Sequence, residues 1–444
     1  MDPVQRLVAH PLFEQRESEY IRWYPKTLTK PLATPLPSRI AADGIYIHIP
    51  FCDKLCSFCP YNKIVSDHSV MTEFVQALCK EIEMYARMST EHAVRFVYFG
   101  GGTPSVLDPQ DVERILTTLR NGFNLIPSAE ISFEAHPTHL TANYVHQLRE
   151  LGVTRISSGI QQLDDHLLST LGSHHSADDG FEAIENTVKV MGHIAVDMLF
   201  RCPTQSLETW VDQLKLVTSM QGVSHVSCYS LVLKDPSNQP SKRTEAAMTI
   251  AMDQILTQRG YTHYASCASG GFDYALEGHR CQYEFSHWAA PQAEFLGLGP
   301  GAFGYVAGAM TGNGLHVRNY IKNINAGMLP LVSVTPVSSL DEQLRRYMIL
   351  GVKTLKVDLA AIQRVSGVDP TRYFAKEIRW LEDMHFANVA ENWLVLTDVG
   401  RYFVDTISAA FFSAAERDVP HPEEPELRQM EVEAIRNLTA KGGV

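Results

Sequence analysis

The chain has 444 residues, 45% of them hydrophobic, enough for one large α/β domain plus a smaller one around a sizeable core. Its 38 Lys+Arg against 50 Asp+Glu leave a net charge of −12, which disfavours non-specific attraction to nucleic acid or anionic membrane surfaces. No apolar run is long enough to span a bilayer and MDPVQRLVAH lacks a signal-peptide pattern, so the expected location is cytoplasmic.

Residues 1–44 are proline-rich towards their end (Pro25, Pro31, Pro35, Pro37), which predicts an extended segment laid over a surface. Ile45, Ile47 and Ile49 then alternate with Tyr46 and His48 as in a half-buried strand, which Pro50 ends. Directly after it come Cys52, Cys56 and Cys59, a C-x3-C-x2-C. Three thiolates on one short loop can hold three irons of a [4Fe–4S] cube and leave the fourth iron open. Structural zinc is the weaker alternative, since it usually takes four closed ligands in paired C-x2-C sets; inert core cysteines are weaker still. The other five cysteines (Cys79, Cys202, Cys228, Cys267, Cys281) are scattered, as reduced thiols are.

Helical periodicity follows from His68 to Arg87, then a strand at Arg95–Phe99. The alternation continues with a helix at Pro109–Gly122, a strand at Glu130–Glu134, a helix at Thr141–Leu151 and a strand at Thr154–Ser158. A helix at Gly180–Met191, a strand at Ile194–Leu199, a helix at Glu208–Met220 and a strand at Ser224–Ser230 complete six strand–helix units. That pattern predicts a parallel sheet with helices outside, either an open doubly wound sheet or a partial barrel, with ligands at the carboxyl ends of the strands. At those ends stand Gly100-Gly101-Gly102-Thr103, then Glu134, Gln161 and Asp197. An isolated glycine run is usually a tight turn, and a lone carboxylate usually caps a helix or pairs with a lysine. Polar groups at successive strand ends point to a shared ligand.

The segment YIHIPFCDKLCSFC, with the GGGTP that follows, resembles the radical S-adenosyl-L-methionine (SAM) enzymes related to oxygen-independent coproporphyrinogen III dehydrogenase, over about Tyr46 to Phe412. The resemblance favours a partial (β/α)6 TIM-like barrel. It implies a [4Fe–4S] cluster on Cys52, Cys56 and Cys59, whose open iron is chelated by SAM; one electron cleaves that SAM to a 5′-deoxyadenosyl radical. By the same resemblance the cluster-bound SAM touches Tyr46, Gly101, Glu134 and the backbone near Phe303, with Tyr46 and Glu134 in the catalytic roles. A second SAM touches Phe58, Gly102, Thr103, Gln161 and Asp197. The chain departs from the family in three places. Leu171-Gly172-Ser173 stands where an arginine clamps the second SAM, leaving His174, His175 or Arg201 as candidate replacements. Phe200-Arg201-Cys202-Pro203 replaces a YGLP-type exit, and Tyr61 replaces the dehydrogenase's fourth cysteine.

Further on, the glycines from Leu296 to Gly304 read as a buried turn supporting the SAM site. Tyr264, His279, Tyr283, His287 and Trp288 read as packing residues or as a haem-iron ligand. From Leu340 three helices and a hairpin, Ala387 to Leu396 turning at Glu391-Asn392, suggest a winged-helix-like domain. With nine Lys+Arg against ten Asp+Glu from Val337 to Phe412, it lacks the basic footprint of a nucleic-acid reader. The expected division is therefore 1–44 extended segment, 45–336 barrel with accessory strands, 337–413 winged-helix-like domain and 414–444 acidic tail. Loss of the fourth cysteine makes the chain most similar to the anaerobic haem-degrading methyltransferases (HutW/ChuW type). These use two SAM molecules to open the porphyrin and release iron as a methylated linear tetrapyrrole forms. That resemblance implies haem as substrate, an electron donor such as a flavodoxin, ferredoxin or NAD(P)H-linked reductase, and a haem- or product-handling protein as partner. The alternatives are the oxidative decarboxylase itself and a non-catalytic haem chaperone.

Overall fold

The computed structural model describes residues 2–16, 21, 23–29, 36, 38–233, 237–266, 270–337, 339–420 and 430. Six parallel strands stand side by side in chain order: β1 (Gly44–Ile49), β4 (Ala93–Gly101), β5 (Asn124–Ala135), β6 (Arg155–Gln161), β7 (Ile194–Phe200) and β8 (Val223–Ser230). The intervening β2 (Phe51–Cys52) and β3 (Ile64–Val65) form a small parallel pair of their own. Beyond β8 the sheet continues antiparallel through β10 (Gly271–Ala275) to β9 (Thr262–Ala265). On the other side of β1 lies β11 (Phe295–Leu298), also parallel to it, then β12 (Phe303–Val306), β13 (Ala309–Asn313) and β14 (Leu331–Pro336). The fold is α/β, the expected partial TIM-like barrel with a separate C-terminal domain.

Helices cover the outer face. Along β1, Ile45, Ile47 and Ile49 enter one core with Phe74, Leu78 and Ile82 of the helix His68–Ala86 and with Ile115 and Leu119 of Pro109–Gly122. The opposite face is not solvated, contrary to the half-buried reading: His48 is buried and Tyr46 half-buried, because both point into the barrel. Parallel strands inside helices are covered on both faces, so alternation in such a strand separates core from lumen, not core from water.

A second core holds the C-terminal domain, where the helix Leu340–Gly351 packs Leu344, Met348 and Leu350 against Phe386, Phe403 and Phe411. Its hairpin strands, Ala387–Ala390 and Trp393–Leu396, turn at Glu391 and Asn392, both with positive φ. The amino-terminal segment departs from the extended expectation at Pro3–Val8, which is helical, with Pro3 in the first helical position, where its missing N–H costs nothing. Leu7, Phe13 and Tyr24 enter the second core; Pro31, Pro35 and Pro37 lie outside the described residues. The start of the tail is anchored too: buried Glu416 accepts hydrogen bonds from the backbone N–H groups of Lys26 and Thr27 at 2.7 and 2.9 Å. Nothing between 431 and 444 is described, so the solvated-tail expectation lies mostly outside those residues. Among the described residues no helix is long and apolar enough to cross a membrane.

Candidate functional site

The cysteine loop is pinned at both ends by the β2–β3 pairing, with Ile64 N–H donating to Pro50 O at 2.7 Å and Ser66 N–H to Cys52 O at 2.9 Å. Cys52 is buried, while Cys56 and Cys59 are partly exposed. Burial pushes the Cys52 and Cys56 thiols up, and each also feels the negative charge of its neighbouring thiols; Lys63, whose Nζ donates to Cys59 O at 2.6 Å, is the cation that opposes this. Three thiols brought onto one short loop are a donor set suited to a multinuclear cationic group such as an iron–sulfur cube. Thr103 Oγ1 donates to Cys52 Sγ at 3.3 Å, so its hydroxyl serves that cysteine in this structure.

The glycine run lies against this loop. Gly102 N–H donates to Ile49 O and Thr103 N–H to Phe51 O, each at 2.8 Å. A Cβ on Gly102 would meet Phe51 O at 2.7 Å, and one on Gly101, at φ +111°, would meet the His48 ring at 2.7 Å. Glycine here is therefore a requirement of close approach.

Below the loop the barrel lumen is acidic. Glu134 accepts from Tyr98 Oη at 2.6 Å; burial raises its carboxyl, while Tyr98 and the Gly101 N–H pull the other way. Asp197, held by Ser157 Oγ at 3.4 Å, is pushed up to about 7 by burial and then by the Glu134 charge. Two carboxylates not singled out in the sequence join them. Asp273 on β10 accepts from Ser227 Oγ at 2.6 Å, and Glu284, raised by burial and by Asp273, accepts from Trp288 Nε1 at 3.2 Å. One cation, buried Arg155 at the start of β6, acts on all three of Glu134, Asp197 and Glu284. Burial works against its charge, but its acidic neighbours, Cys281 and Glu130 first, outweigh that. A lumen with this excess of carboxylate is suited to a cationic ligand.

Tyr46 forms the wall beside Glu134. Its ring stacks on Tyr98 and Tyr283 at 6.1 and 5.3 Å, and its Oη lies 3.1 Å from His48 Nδ1. Burial holds His48 down at about 4, and its Nε2 lies 2.8 Å from Asn62 O; the ring is neutral and ties β1 to the far end of the cysteine loop. Phe303 stacks on Trp23 at 4.4 Å and packs in the same aromatic cluster as Tyr46. Gln161 has φ 61°, an uncommon backbone for a side chain of this type, and its amide makes no hydrogen bond among the described residues. Phe58 sits apart from these, on Leu167, Leu171, Leu199, Cys202 and Leu231.

Several candidates are otherwise engaged. Arg201 donates from Nε to Pro240 O at 3.0 Å and pairs with Glu245 at 3.6 Å, so its fork is turned away from the lumen. His174 is exposed, while buried His175 lies 2.9 Å from Ile160 O and 3.0 Å from Ser173 Oγ. Tyr264 is buried against His225, their polar atoms 2.8 Å apart. His279 faces His193 at 5.0 Å, next to the start of β7 and so at the far end of the barrel. His287 packs edge-on to Trp288. Of that group Tyr283 joins the Tyr46 wall, with the His287 ring 5.9 Å from it; Cys267 lies outside the described residues. Asp273, Glu284 and Arg155 were missed because their elements alternate weakly or are short. The signal was present in Arg155, a cation opening a strand that is otherwise apolar or small.

Comparison with known proteins agrees with this geometry. Residues 46–217 match the radical SAM superfamily model, and residues 338–403 the HemN C-terminal domain model. The chain is 28% identical over 413 residues to a protein named heme chaperone HemW from Synechocystis, spanning 84% of this chain and 97% of that one. It is 26% identical to the protein of the same name from Bacillus subtilis, over 82% and 98% of the two chains. Among solved structures it is similar to coproporphyrinogen III oxidase (HemN) from Escherichia coli, with a TM-score of 0.76, 20% identity and coverage of 90% and 98%.

Proposed function

We infer that this chain, a radical SAM protein related to HemN and carrying a HemN C-terminal domain, binds a haem-type tetrapyrrole at the mouth of its cluster-and-SAM site and hands it on as a carrier. The observation that carries the reading is likeness over more than four fifths of the chain to proteins named heme chaperones. Bound at Cys52, Cys56 and Cys59, the cluster would supply one electron to a chelated SAM. The chain's own groups do the rest. Glu134 offers its carboxylate to the methionyl ammonium, an interaction between charges worth roughly 1.5–3 kcal/mol. Tyr46 and Tyr98 wall the lumen and exclude water, and the glycine backbone lets the ligand approach β4.

A second reading, methyl transfer with opening of the haem ring, is favoured by a specific observation. Beyond Glu134 the lumen has a further polar pair, Asp197 and Gln161, the latter on a left-handed backbone with its amide unengaged. These fit a second SAM. The iron-releasing ring opening differs from carriage in its products, so one incubation separates them. The reduced, anaerobically reconstituted protein is mixed with haem and SAM deuterated in its methyl group, and all products are weighed. Carriage returns intact haem and leaves the methyl label on SAM. Ring opening puts one deuterium into 5′-deoxyadenosine and the remaining methyl-derived carbon into a linear tetrapyrrole. Intact haem that does not co-elute with the protein, with the label still on SAM, contradicts both.

A further inference from the structure

A cluster of three histidines, His136, His139 and His175, stands at the barrel mouth. The strand β5 directs Glu134 into the lumen, and His136 follows two residues later with an extended backbone, φ −73° and ψ 140°. Side chains two apart on extended backbone share a face, so His136 lies on the Glu134 side, one layer nearer the mouth. Its N–H donates to Ser105 Oγ at 2.9 Å; its Nδ1 lies 2.7 Å from Thr138 Oγ1 and accepts from the Thr138 N–H at 3.4 Å. Nε2 has no partner among the described residues.

The flanking imidazoles are fully engaged. His139, with its ring 5.5 Å from that of His136, has Nδ1 2.9 Å from Ser105 Oγ and Nε2 2.9 Å from Asp53 Oδ2. His175 stands edge-on to His136 at 5.3 Å, with both nitrogens occupied as described. Burial, and then the neighbouring histidines, hold His136 down at about 4, so it is a neutral ring at physiological pH. A neutral imidazole ligates iron through Nε2 when Nδ1 carries the proton, and Thr138 Oγ1 at 2.7 Å is placed to accept from Nδ1–H in exchange for the longer bond from the Thr138 N–H. Asp53 directly follows Cys52, which places this cluster beside the cysteine loop. Leu55, two residues beyond Asp53 on that loop, is 46% exposed.

We propose that His136 Nε2 is the axial ligand that receives the haem iron at the barrel mouth, with His139 and His175 as positioning residues that hold its ring. This rests on the haem-binding reading. Because both neighbours are committed, the iron gains one protein ligand and its other axial position stays open. The test titrates ferric haem into the anaerobically purified wild-type protein, His136→Ala, and the surface control His146→Ala, recording the Soret band and the electron paramagnetic resonance spectrum. Wild type and His146→Ala should give five-coordinate high-spin haem. His136→Ala should lose that spectrum and bind haem about tenfold or more weakly, and added imidazole should restore the spectrum. Unchanged cluster absorbance verifies the fold; should His136→Ala not fold, His136→Gln, which keeps a hydrogen-bonding side chain beside Thr138, replaces it. A wild-type spectrum and affinity in the variant overturns the assignment to His136. No haem binding by wild type instead overturns the haem reading itself.

Discussion

At the scale of single residues, the three cysteines and the lumen carboxylates make separable claims. Alanine at Cys52, Cys56 or Cys59 should abolish the broad visible absorbance of the reconstituted cluster; retained absorbance and iron in Cys56→Ala would remove the assignment. Asp197 titrates at about 7 in the folded chain because burial and Glu134 disfavour its charge. Between the ordinary carboxylate range and that value, the folded protein holds a proton that the unfolded chain has lost. Stability therefore falls as pH rises through this window. Asp197→Asn should stabilise the ligand-free protein at pH 8 by roughly 2–4 kcal/mol relative to wild type, and by much less at pH 5. Melting curves at the two values check this. SAM should raise the wild-type melting temperature more than that of the variant, since its cationic groups relieve the uncompensated carboxylate; equal shifts would detach Asp197 from SAM.

At the scale of elements, the glycine turn after β11 shows how the site is held from behind. Gly299, at φ +90°, packs so closely on β1 that a Cβ would collide with His48 O. Its N–H donates to buried Glu81 Oε2 at 2.8 Å, and Tyr320 Oη and Asn313 Nδ2 reach the same carboxyl at 2.7 and 3.2 Å. Glu81→Ala strands two buried donors, the Gly299 N–H and Tyr320 Oη, at about 1–3 kcal/mol each, while Asn313 Nδ2 keeps Gly297 O and Gly299 O. It should lower the melting temperature and loosen the cluster together; cluster retention at wild-type stability would contradict this. The six strands, the helices and the cysteine loop were legible in the sequence because each rests on local spacing, whereas the barrel order of the strands was implied only by the family resemblance. The supporting role of this turn was also readable from its glycines, but its partner Glu81 was not. A carboxylate buried on a helix's core face looks in sequence like any surface glutamate. The lumen was likewise hidden: Asp273 and Glu284 come from segments after the six repeats, and only tertiary packing brings them beside Glu134. Arg201 misled for the same reason, since Glu245, which claims its fork, is 44 positions away in sequence.

At the scale of the whole molecule, the C-terminal domain is fastened to the barrel. Ser266 N–H donates to Lys353 O at 2.7 Å, and Lys353 Nζ pairs with Asp405 at 2.8 Å where both side chains are buried. Removing one partner leaves a buried charge, so Lys353→Ala should cost about 3–5 kcal/mol. If the domain were an independent appendage, the variant would melt in two steps with the barrel transition unmoved; one shifted transition is expected. Near the same junction, Arg346 donates to Tyr24 O and lies 3.9 Å over the Tyr305 ring, so the amino-terminal segment is clamped between barrel and domain.

The central claim is that an intact cluster site and a haem site share one chain, and a single titration tests it most directly. Haem is added stepwise, without oxygen, to the cluster-loaded protein, and the Soret and cluster absorbances are followed together. The account predicts a Soret shift that saturates at one haem per chain while the cluster absorbance persists. An unsaturable or absent Soret change, or displacement of the cluster as haem binds, would contradict it.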